Sequence, residues 1–276
     1  MPNSNGPEGH RRCDEPERCS ASPDIPRRVA RLDAGLTRAV QLAKVAAVTT
    51  GVSVGRRGRR GAPPPFDAAF VARWLRGSAA EISAHRDFLT QLDAAIGDAD
   101  HGVNMDRGFA AVVSVVAAAD GLSPGELLVQ AGATLVLRVG GAAGPLYGSA
   151  LREAGRSLGE ASVFGLPELT SALEDALTGI VKLGAAEEGD KTIVDAWTPA
   201  LRALRDARSA GAVAALHAAR VAAEEGAALT TPMEARKGRA SYLGARSVGH
   251  QDPGAASTSL LFGALERAAA EAPPDR

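Results

Sequence analysis

The sequence predicts an all-α fold, an up-and-down bundle of eight antiparallel helices, for the part of the chain that follows residue 65. Aromatic residues make up only 4% of the chain while alanine is abundant, and this composition suits closely packed helices better than sheets. From Phe66 onward apolar residues recur three and four positions apart, which is the period of an amphipathic helix. The same stretch shows no pattern that predicts a strand.

Residues 1–65 differ sharply in composition from the rest. They are rich in Pro, Gly, Ser and Arg and end in an arginine- and proline-rich run at 55–65, which predicts a disordered extension. A short basic helix at 28–48 and contact of the arginines with RNA or a partner are the alternatives. The only cysteines, Cys13 and Cys19, lie in this extension without the second pair of a zinc site, so reduced thiols are expected. We therefore divide the chain into an extension, 1–65, and a helical domain, 66–276.

The net charge and the distribution of apolar residues argue against several classes of partner. With 31 basic and 32 acidic residues the net charge is −1, so nothing calls for nucleic acid or an anionic membrane surface. No apolar run is long enough to span a bilayer, and the N-terminus lacks the basic and apolar regions of a secretory signal. These observations predict a cytoplasmic protein.

Helix boundaries follow from local signals. Ser123-Pro-Gly-Glu126 is a capping box with proline at the first helical position, Pro167 starts another helix, and Pro199 is expected to kink the sixth. Predicted helices run from 66 to about 93, 104 to 120, 124 to 137, 146 to 158, 167 to 184, 193 to 207, 211 to 228 and 255 to 270.

The most informative stretch lies after the first predicted helix. Asp93, Asp98 and Asp100 fall within eight residues around Gly97. A single helix turns about 100° per residue and cannot aim all three at one point, but a chain that breaks at Gly97 can. Three convergent carboxylates suit a hard divalent ion such as Mg²⁺. The alternative is an acidic surface loop with hydrated charges.

Loop positions place a site at one end of the bundle. Short linkers between helices of similar length imply antiparallel neighbours, so successive loops alternate between the two ends. The loops at 97–103, 139–145, 184–191 and 238–254 follow helices one, three, five and seven, and should therefore meet.

The other three loops carry features that suit phosphate. The turn from Gly140 to Pro145 precedes a helix, whose free amide groups and dipole favour an anion, although it matches neither the Walker nor the dinucleotide pattern. Arg236-Lys-Gly-Arg239 supplies cations, and the segment from Gly249 to Gly254 again precedes a helix. Taken singly, the glycine-rich turn is more often a structural connection between helices, and the alternative for Arg236–Arg239 is an exposed basic turn. Together with the acidic stretch they predict a metal–nucleotide site and phosphoryl transfer.

Four ordered motifs carry a family resemblance. They read LDAAIGDADHGVN at 92–104, GGAAGPLYG at 140–148, GDKTIVD at 189–195 and ARKGRASYLGARSVGHQDPGAAS at 235–257. In this order they resemble the L subunit, or DAK2 domain, of dihydroxyacetone kinases, over about 66–270.

The resemblance implies an eight-helix antiparallel barrel that binds ADP or ATP and two Mg²⁺ ions at one end. Asp93, Asp98 and Asp100 would bind the metal ions and, with Arg239, form the catalytic set. The residues that would surround the nucleotide are His101, Gly102, Val103, Asn104, Ala142, Ala143, Gly184, Ile193, Arg239, Asp252, Pro253 and Gly254.

It also implies partners. Family members act with a K subunit that binds dihydroxyacetone covalently through a histidine, and this chain has no room for that domain, so we expect half of a kinase. In one branch ATP is an exchangeable substrate; in the other, bound ADP is rephosphorylated in place by a phosphocarrier of the sugar phosphotransferase system, the M subunit. A stand-alone L module favours the second branch. A homodimer is left open.

One departure from the family pattern bears on function. The phosphate turn of the family usually reads GGASGPLYG, whereas position 143 is Ala here, so a hydroxyl is missing. An ADP-binding regulatory module with weakened activity, a kinase half for another small ketose, and the nucleotide-binding domain of a fatty acid kinase are the competing interpretations.

Overall fold

Helices account for most of the residues that the computed structural model describes, which are residues 66–271. The extension expected at 1–65, with both cysteines, lies outside the described residues, as do residues 272–276. The described elements are β1 (Phe66–Asp67), α1 (Ala68–Ala84), α2 (Arg86–Ile96), α3 (His101–Ala118), α4 (Pro124–Arg138), α5 (Ala143–Leu158), β2 (Val163–Phe164), α6 (Leu166–Gly184), α7 (Val194–Ala207), a 3₁₀ turn (Arg208–Ala210), α8 (Ala212–Leu229), a second 3₁₀ segment (Arg239–Ser247) and α9 (Pro253–Ala270).

The first predicted helix is interrupted and forms two helices, so the described residues hold nine α-helices where the sequence predicted eight. The break falls at His85, whose backbone leaves the helical region and whose N–H donates back to Glu81 and Ser83. After the restart, Leu89, Asp93 and Ile96 form the buried face of α2. Phe88, by contrast, is 46% exposed.

A short strand pair closes the start of the described region, where the sequence predicted none. Phe66 and Asp67 pair antiparallel with Phe164 and Val163 respectively. The Phe66 ring stacks on Phe70 and lies 5.5 Å from that of Phe164, while the Asp67 carboxylate caps α1 by accepting the Phe70 N–H at 2.8 Å. The pairing thus ties the beginning of α1 to the loop before α6.

The predicted start of α4 is confirmed in detail. The Ser123 hydroxyl accepts the Glu126 N–H at 3.2 Å, and the Glu126 carboxylate accepts the Ser123 N–H at 2.9 Å, with Pro124 at the first helical position. Hydrogen bonding to Ser123 holds the pKa of the Glu126 carboxyl below its usual range. Pro199 lies inside α7, as expected.

Helix contacts follow chain order from α3 to α9, and α9 returns to pack against α1. Some of these contacts are very close because glycines face one another. A Cβ on Gly125 of α4 would lie 2.2 Å from the carbonyl oxygen of Gly159, and one on Gly132 would lie 2.6 Å from that of Gly148 on α5. One large apolar core fills the space between the helices. No helix in the described range is long and apolar enough to cross a membrane.

Candidate functional site

The four loops that the sequence placed at one end do meet there. They line one cleft, with residues drawn from 93–101, 140–147, 180–194, 237–240 and 252–254. These segments include the acidic turn (93–101), the glycine-rich turn (140–147), the loop between α6 and α7, the basic turn (236–240) and the start of α9. The cleft therefore combines acidic, basic and backbone amide groups.

The acidic turn brings its carboxylates together as predicted. Oxygen atoms of Asp93, Asp98 and Asp100 all lie within 4.8 Å of one another. Asp93 is buried in the last turns of α2, and its Oδ2 accepts the N–H groups of Asp100 at 2.8 Å and His101 at 3.1 Å. Asp93 therefore fixes the start of α3 as well as contributing to the cluster.

Gly97 is required for this turn to form. A Cβ at this position would lie 2.0 Å from Oδ1 of Asp93, so any side chain would displace the carboxylate. The next bend places Ala99 at φ 62°, in the left-handed region that costs a non-glycine residue energy. The backbone is thus bent tightly to aim Asp98 and Asp100 at Asp93.

The basic turn contacts the acidic turn directly. Arg239 Nη2 lies 3.0 Å from Asp98 Oδ2, and both side chains are substantially exposed. Beneath this pair, Ile96 packs with Ala235 and Ala240 in a small apolar cluster of its own. The end of α2 and the basic turn are therefore joined by both packing and charge.

The glycine-rich turn presents the N-terminus of α5 to the cleft. Gly141 has φ 65°, and a Cβ on Gly144 would lie 2.3 Å from the Val139 carbonyl oxygen, so the turn folds back closely on the end of α4. Ala142 and Ala143 line the cleft. Free amide groups and the helix dipole favour an anion at this position.

The start of α9 faces the same space. The Asp252 carboxylate caps α9 by accepting the Ala255 N–H at 2.7 Å. Desolvation by burial, and next the charge of Asp195, raise the pKa of Asp252 to about 7, against the opposing effects of the Ala255 hydrogen bond and the charge of Lys191. A Cβ on Gly254 would lie 2.6 Å from Ile193 Cγ2, so α9 begins in close contact with the loop before α7.

A buried hydroxyl network supports the floor of the cleft. The Tyr147 hydroxyl donates to the Gly254 carbonyl at 2.9 Å and lies 2.8 Å from Ser257 Oγ and 2.7 Å from Thr258 Oγ1. His101 Nε2 lies 3.0 Å from the same Ser257 hydroxyl. Burial lowers the pKa of His101 despite the nearby carboxylates, which favours a neutral ring that positions the network.

Three of the residues that the resemblance assigns to the nucleotide do not line the cleft. A Cβ on Gly102 would lie 2.0 Å from the Arg86 carbonyl oxygen, so Gly102 provides close packing between α3 and α2. Val103 is exposed. Asn104 is buried, and its Oδ1 accepts from Arg107 at 2.7 Å. The remaining assigned residues, metal-binding and nucleotide-surrounding, all line the cleft.

Two charged residues that shape the site were assigned no role from the sequence. Asp195 is buried and its carboxylate accepts the N–H groups of Gly189 at 2.6 Å and Thr192 at 2.7 Å, which holds the loop before α7. Lys191 is 1% exposed, with φ 62°. Its position in the GDKTIVD motif was the only available signal.

Comparison with known proteins decides the family. The DAK2 domain profile matches residues 95–267. The chain belongs to the DAK2 domain family. It is 42% identical over 203 residues to "PEP-dependent dihydroxyacetone kinase, ADP-binding subunit DhaL" of Escherichia coli (strain K12), covering 73% of this chain and 97% of that protein. It is 36% identical over 200 residues to "PEP-dependent dihydroxyacetone kinase 1, ADP-binding subunit DhaL" of Listeria innocua serovar 6a, covering 72% and 96%.

A solved structure shares the fold of this DAK2 domain. The dihydroxyacetone kinase from C. freundii, crystallised in complex with AMP-PNP and Mg²⁺, aligns with a TM-score of 0.56 at 27% sequence identity. The alignment covers 80% of this chain but only 37% of that chain. The chain thus corresponds to a minor part of that larger kinase.

Proposed function

We propose that this chain is the nucleotide-binding, phosphoryl-transferring L subunit of a dihydroxyacetone kinase, acting on sugar held by a separate K subunit. The observation that carries the proposal is the convergence of three carboxylates, an arginine and two helix N-termini on one cleft. Family membership supports it, because relatives at 42% and 36% identity are named as ADP-binding subunits of such kinases. The ring of helix contacts, with α1 and α2 counted as one kinked helix, supports the eight-helix barrel expected for the family.

The acidic turn fits Mg²⁺. Its ligands are all carboxylate oxygens, the donors that this ion prefers, and their separation of at most 4.8 Å suits shared coordination. Asp93, Asp98 and Asp100 would hold two ions, which neutralise and orient the phosphates of ADP or ATP. Among similar proteins, the C. freundii kinase structure contains Mg²⁺ and a nucleotide analogue.

The chain's own groups would then bind and align the phosphates. The N-termini of α5 and α9 offer amide groups at Ala142, Ala143 and Gly254, and Arg239 supplies a positive charge that can leave Asp98 for a phosphate oxygen. Such positioning and charge stabilisation account for most of the catalysis of phosphoryl transfer. Buried apolar walls from Ile180 and Ile193 keep part of the cleft dry.

The mouth of the cleft suits a protein partner. Several large apolar side chains are exposed at this end of the helices, and we call them the apolar rim: Val103, Leu137, Leu183, Leu229, Tyr242 and Val248. Exposed apolar side chains at one end of a helix bundle can form an interaction site. A K subunit docked here would bring its sugar to the phosphates, whereas a homodimer through the rim would block it.

A phosphocarrier is the donor that we propose. The relatives described above are named both "PEP-dependent" and "ADP-binding", which fits ADP that stays in the cleft and is rephosphorylated in place by an M subunit. Such a chain would work in the cytoplasm, as the sequence predicts.

Nucleotide content and exchange test this function. The purified full chain is denatured, its released nucleotide is identified by chromatography, and exchange for labelled ATP is followed in Mg²⁺. Turnover is then assayed with a K subunit and a panel of small ketoses, with and without phosphocarrier. We expect retained ADP and sugar phosphorylation only when the phosphocarrier is present. Ready exchange with ATP-driven turnover would show that ATP, and not a phosphocarrier, is the donor. Retained ADP without turnover would indicate a regulatory module. Absence of any nucleotide binding would overturn the proposal.

A further inference from the structure

Lys191 makes an unusual set of contacts for a charged residue. Its side chain is 1% exposed, and its ammonium group donates to the carbonyl oxygens of Ser247 at 2.8 Å, Thr230 at 3.0 Å, Met233 at 3.1 Å and, as a further short contact, His250. It forms no salt bridge among the described residues. A buried charge is costly unless its donors are satisfied, and here backbone carbonyls satisfy them.

The four acceptors bracket one loop. We call residues 231–249 the Ω segment, because the chain leaves α8 near Thr230 and returns there before α9. Two carbonyls come from the outgoing chain and two from the returning chain. The same neck is closed by Gly249 N–H donating to the Thr231 carbonyl at 2.8 Å and by Ala235 N–H donating to Ser247 Oγ at 2.9 Å.

The Ω segment carries the basic side of the cleft. Arg239 lies within it, and α9 begins just after it. It contains glycines with positive φ at Gly238, Gly244 and Gly249, so its backbone has few intrinsic restraints. An element of this kind needs anchoring at its ends to hold a side chain in register.

Lys191 itself is poorly suited to act on substrate. Its N–H donors are already directed at carbonyls, and a neutral amine would have two donors for four acceptors. Desolvation by burial lowers the pKa of Lys191, and the charge of Asp252 opposes that shift. Its contacts therefore point to a positioning role, in which four carbonyl oxygens surround the ammonium group as they would surround a bound metal cation.

We propose that Lys191 is a positioning residue, whose buried ammonium group ties together the two ends of the Ω segment and so holds Arg239 and the start of α9 against the nucleotide phosphates. The second half of this statement rests on the proposed function. The first half concerns the order of the Ω segment alone and is tested without substrate.

Trypsin provides the first test, because the Ω segment contains Arg236, Lys237, Arg239 and Arg246. The full chain is digested under native conditions, and each cut is located by mass spectrometry. In Lys191→Ala we expect cleavage within 236–246 to accelerate by roughly tenfold or more, the effect of losing hydrogen bonds to a charged group, while cuts within the helices stay slow. Lys191→Met, which keeps the aliphatic volume, should behave alike. Lys182→Ala, which removes an exposed lysine from α6, is the control.

Chemical rescue separates the ammonium group from the loss of side-chain volume. Propylammonium resembles the atoms removed in Lys191→Ala and should restore protection of the Ω segment, whereas tetramethylammonium at equal ionic strength lacks N–H donors and should not. Lys191→Met leaves no space for the amine and should not respond. Equal effects of the two ions, accelerated cleavage throughout the helices, or wild-type protection in both variants would each overturn the positioning role.

A double-mutant cycle tests the link to the site. Affinity for ADP in Mg²⁺ is measured for the wild type, Lys191→Ala, Arg239→Ala and the double variant. If Lys191 acts through Arg239, the double variant should lose far less affinity than the product of the two single losses. Independent, multiplicative losses would refute that route. If the wild type binds no ADP, the proposed function fails, while the proteolysis and rescue results still decide whether Lys191 anchors the Ω segment.

Discussion

Asp98 is the most exposed of the three clustered carboxylates and the one that contacts Arg239. If it binds Mg²⁺, Asp98→Ala should lose a ligand without disturbing the fold. Mutation of a residue that hydrogen-bonds to a metal ligand typically lowers metal affinity or activity by about 10- to 100-fold. Removal of a ligand itself should therefore weaken Mg²⁺-dependent ADP binding by about 100-fold or more. Calorimetric titration measures the affinity, and circular dichroism checks the fold.

Asp87→Ala is the matched control for this prediction. Asp87 is an exposed carboxylate on the same helix as Asp93, paired only with Arg86 among the described residues, and it does not line the cleft. It should leave ADP binding unchanged. Wild-type affinity in Asp98→Ala would show that the acidic turn is a hydrated loop and would remove the metal assignment.

Ala143 offers a gain-of-function prediction. It lines the cleft at the first position of α5, where the family pattern has serine. Ala143→Ser should add one hydrogen bond to a charged phosphate oxygen, worth about 1.5 kcal/mol, and so tighten ADP binding by roughly tenfold. Ala110→Ser, on the exposed face of α3, controls for the added hydroxyl. Equal affinities of Ala143→Ser and the wild type would mean that position 143 does not face a phosphate oxygen.

The role of a single residue could be predicted where it depends on the chemistry of that residue's own side chain. The spacing of Asp93, Asp98 and Asp100 around a glycine was enough to expect their convergence. The role of Lys191 was not predictable, because its four partners are backbone carbonyls, which every residue possesses. Val103 belongs to a matching motif, yet it is exposed, since a motif does not specify the direction of each side chain.

At the scale of elements, helix starts were predicted best. The capping box at Ser123 and the proline signals specify a start chemically, whereas the break at His85 has no proline or glycine to mark it. Apolar residues continue across that break, so periodicity alone favours one helix. The strand pair at Phe66–Asp67 was missed because two residues are too few to show alternation.

The N-terminus of α9 should make stability depend on pH through Asp252. The pKa of this carboxyl is raised from 3.8 to about 7, chiefly by burial, so between these values the unfolded chain releases a proton that the folded chain keeps. The folded state then binds more protons, and the free energy of unfolding should fall as pH rises through this window and level off above it.

Asp252→Asn isolates this effect, since asparagine also caps helices well but cannot ionise. At about pH 4 the variant and the wild type should differ little. Toward about pH 8 the variant should become progressively more stable relative to the wild type, by up to about 1.4 kcal/mol for each pH unit inside the window. Urea unfolding at several pH values measures the difference. A stability difference that does not change with pH would show that Asp252 ionises normally in the folded protein.

At the scale of the whole molecule, the alternation of loop ends was the most productive prediction from the residues themselves. It requires only that the linkers be short and the helices similar in length. Both conditions hold from α3 to α8, whereas the connection before α9, residues 230–252, is much longer. The packing of α9 against α1 could not be derived in this way, because neither the length of a helix nor the position of its apolar face indicates which helices are its neighbours across the bundle. The family resemblance supplied that expectation.

The apolar rim leads to a prediction about assembly. Leu137, at the end of α4, is 81% exposed and Tyr242, in the Ω segment, is 88% exposed. These side chains are mostly exposed in the isolated chain, so their replacement should leave folding and ADP binding intact. If the K subunit docks on the rim, Leu137→Ser should raise the KM for the K subunit by roughly tenfold, with kcat little changed. This corresponds to the loss of about 1.5 kcal/mol that burial of the leucine in the interface would contribute.

The matched control lies at the other end of the bundle. Val213 is 48% exposed in the first turn of α8, far along the chain from the loops of the cleft, and Val213→Ser removes a similar apolar side chain. Steady-state turnover with increasing K subunit measures both variants. An unchanged KM in Leu137→Ser and Tyr242→Ser would move the docking surface away from the rim. A rise in KM for both, with the Val213 variant unaffected, would place the sugar-bearing partner over the cleft, since phosphoryl transfer requires the two reacting groups to meet in line.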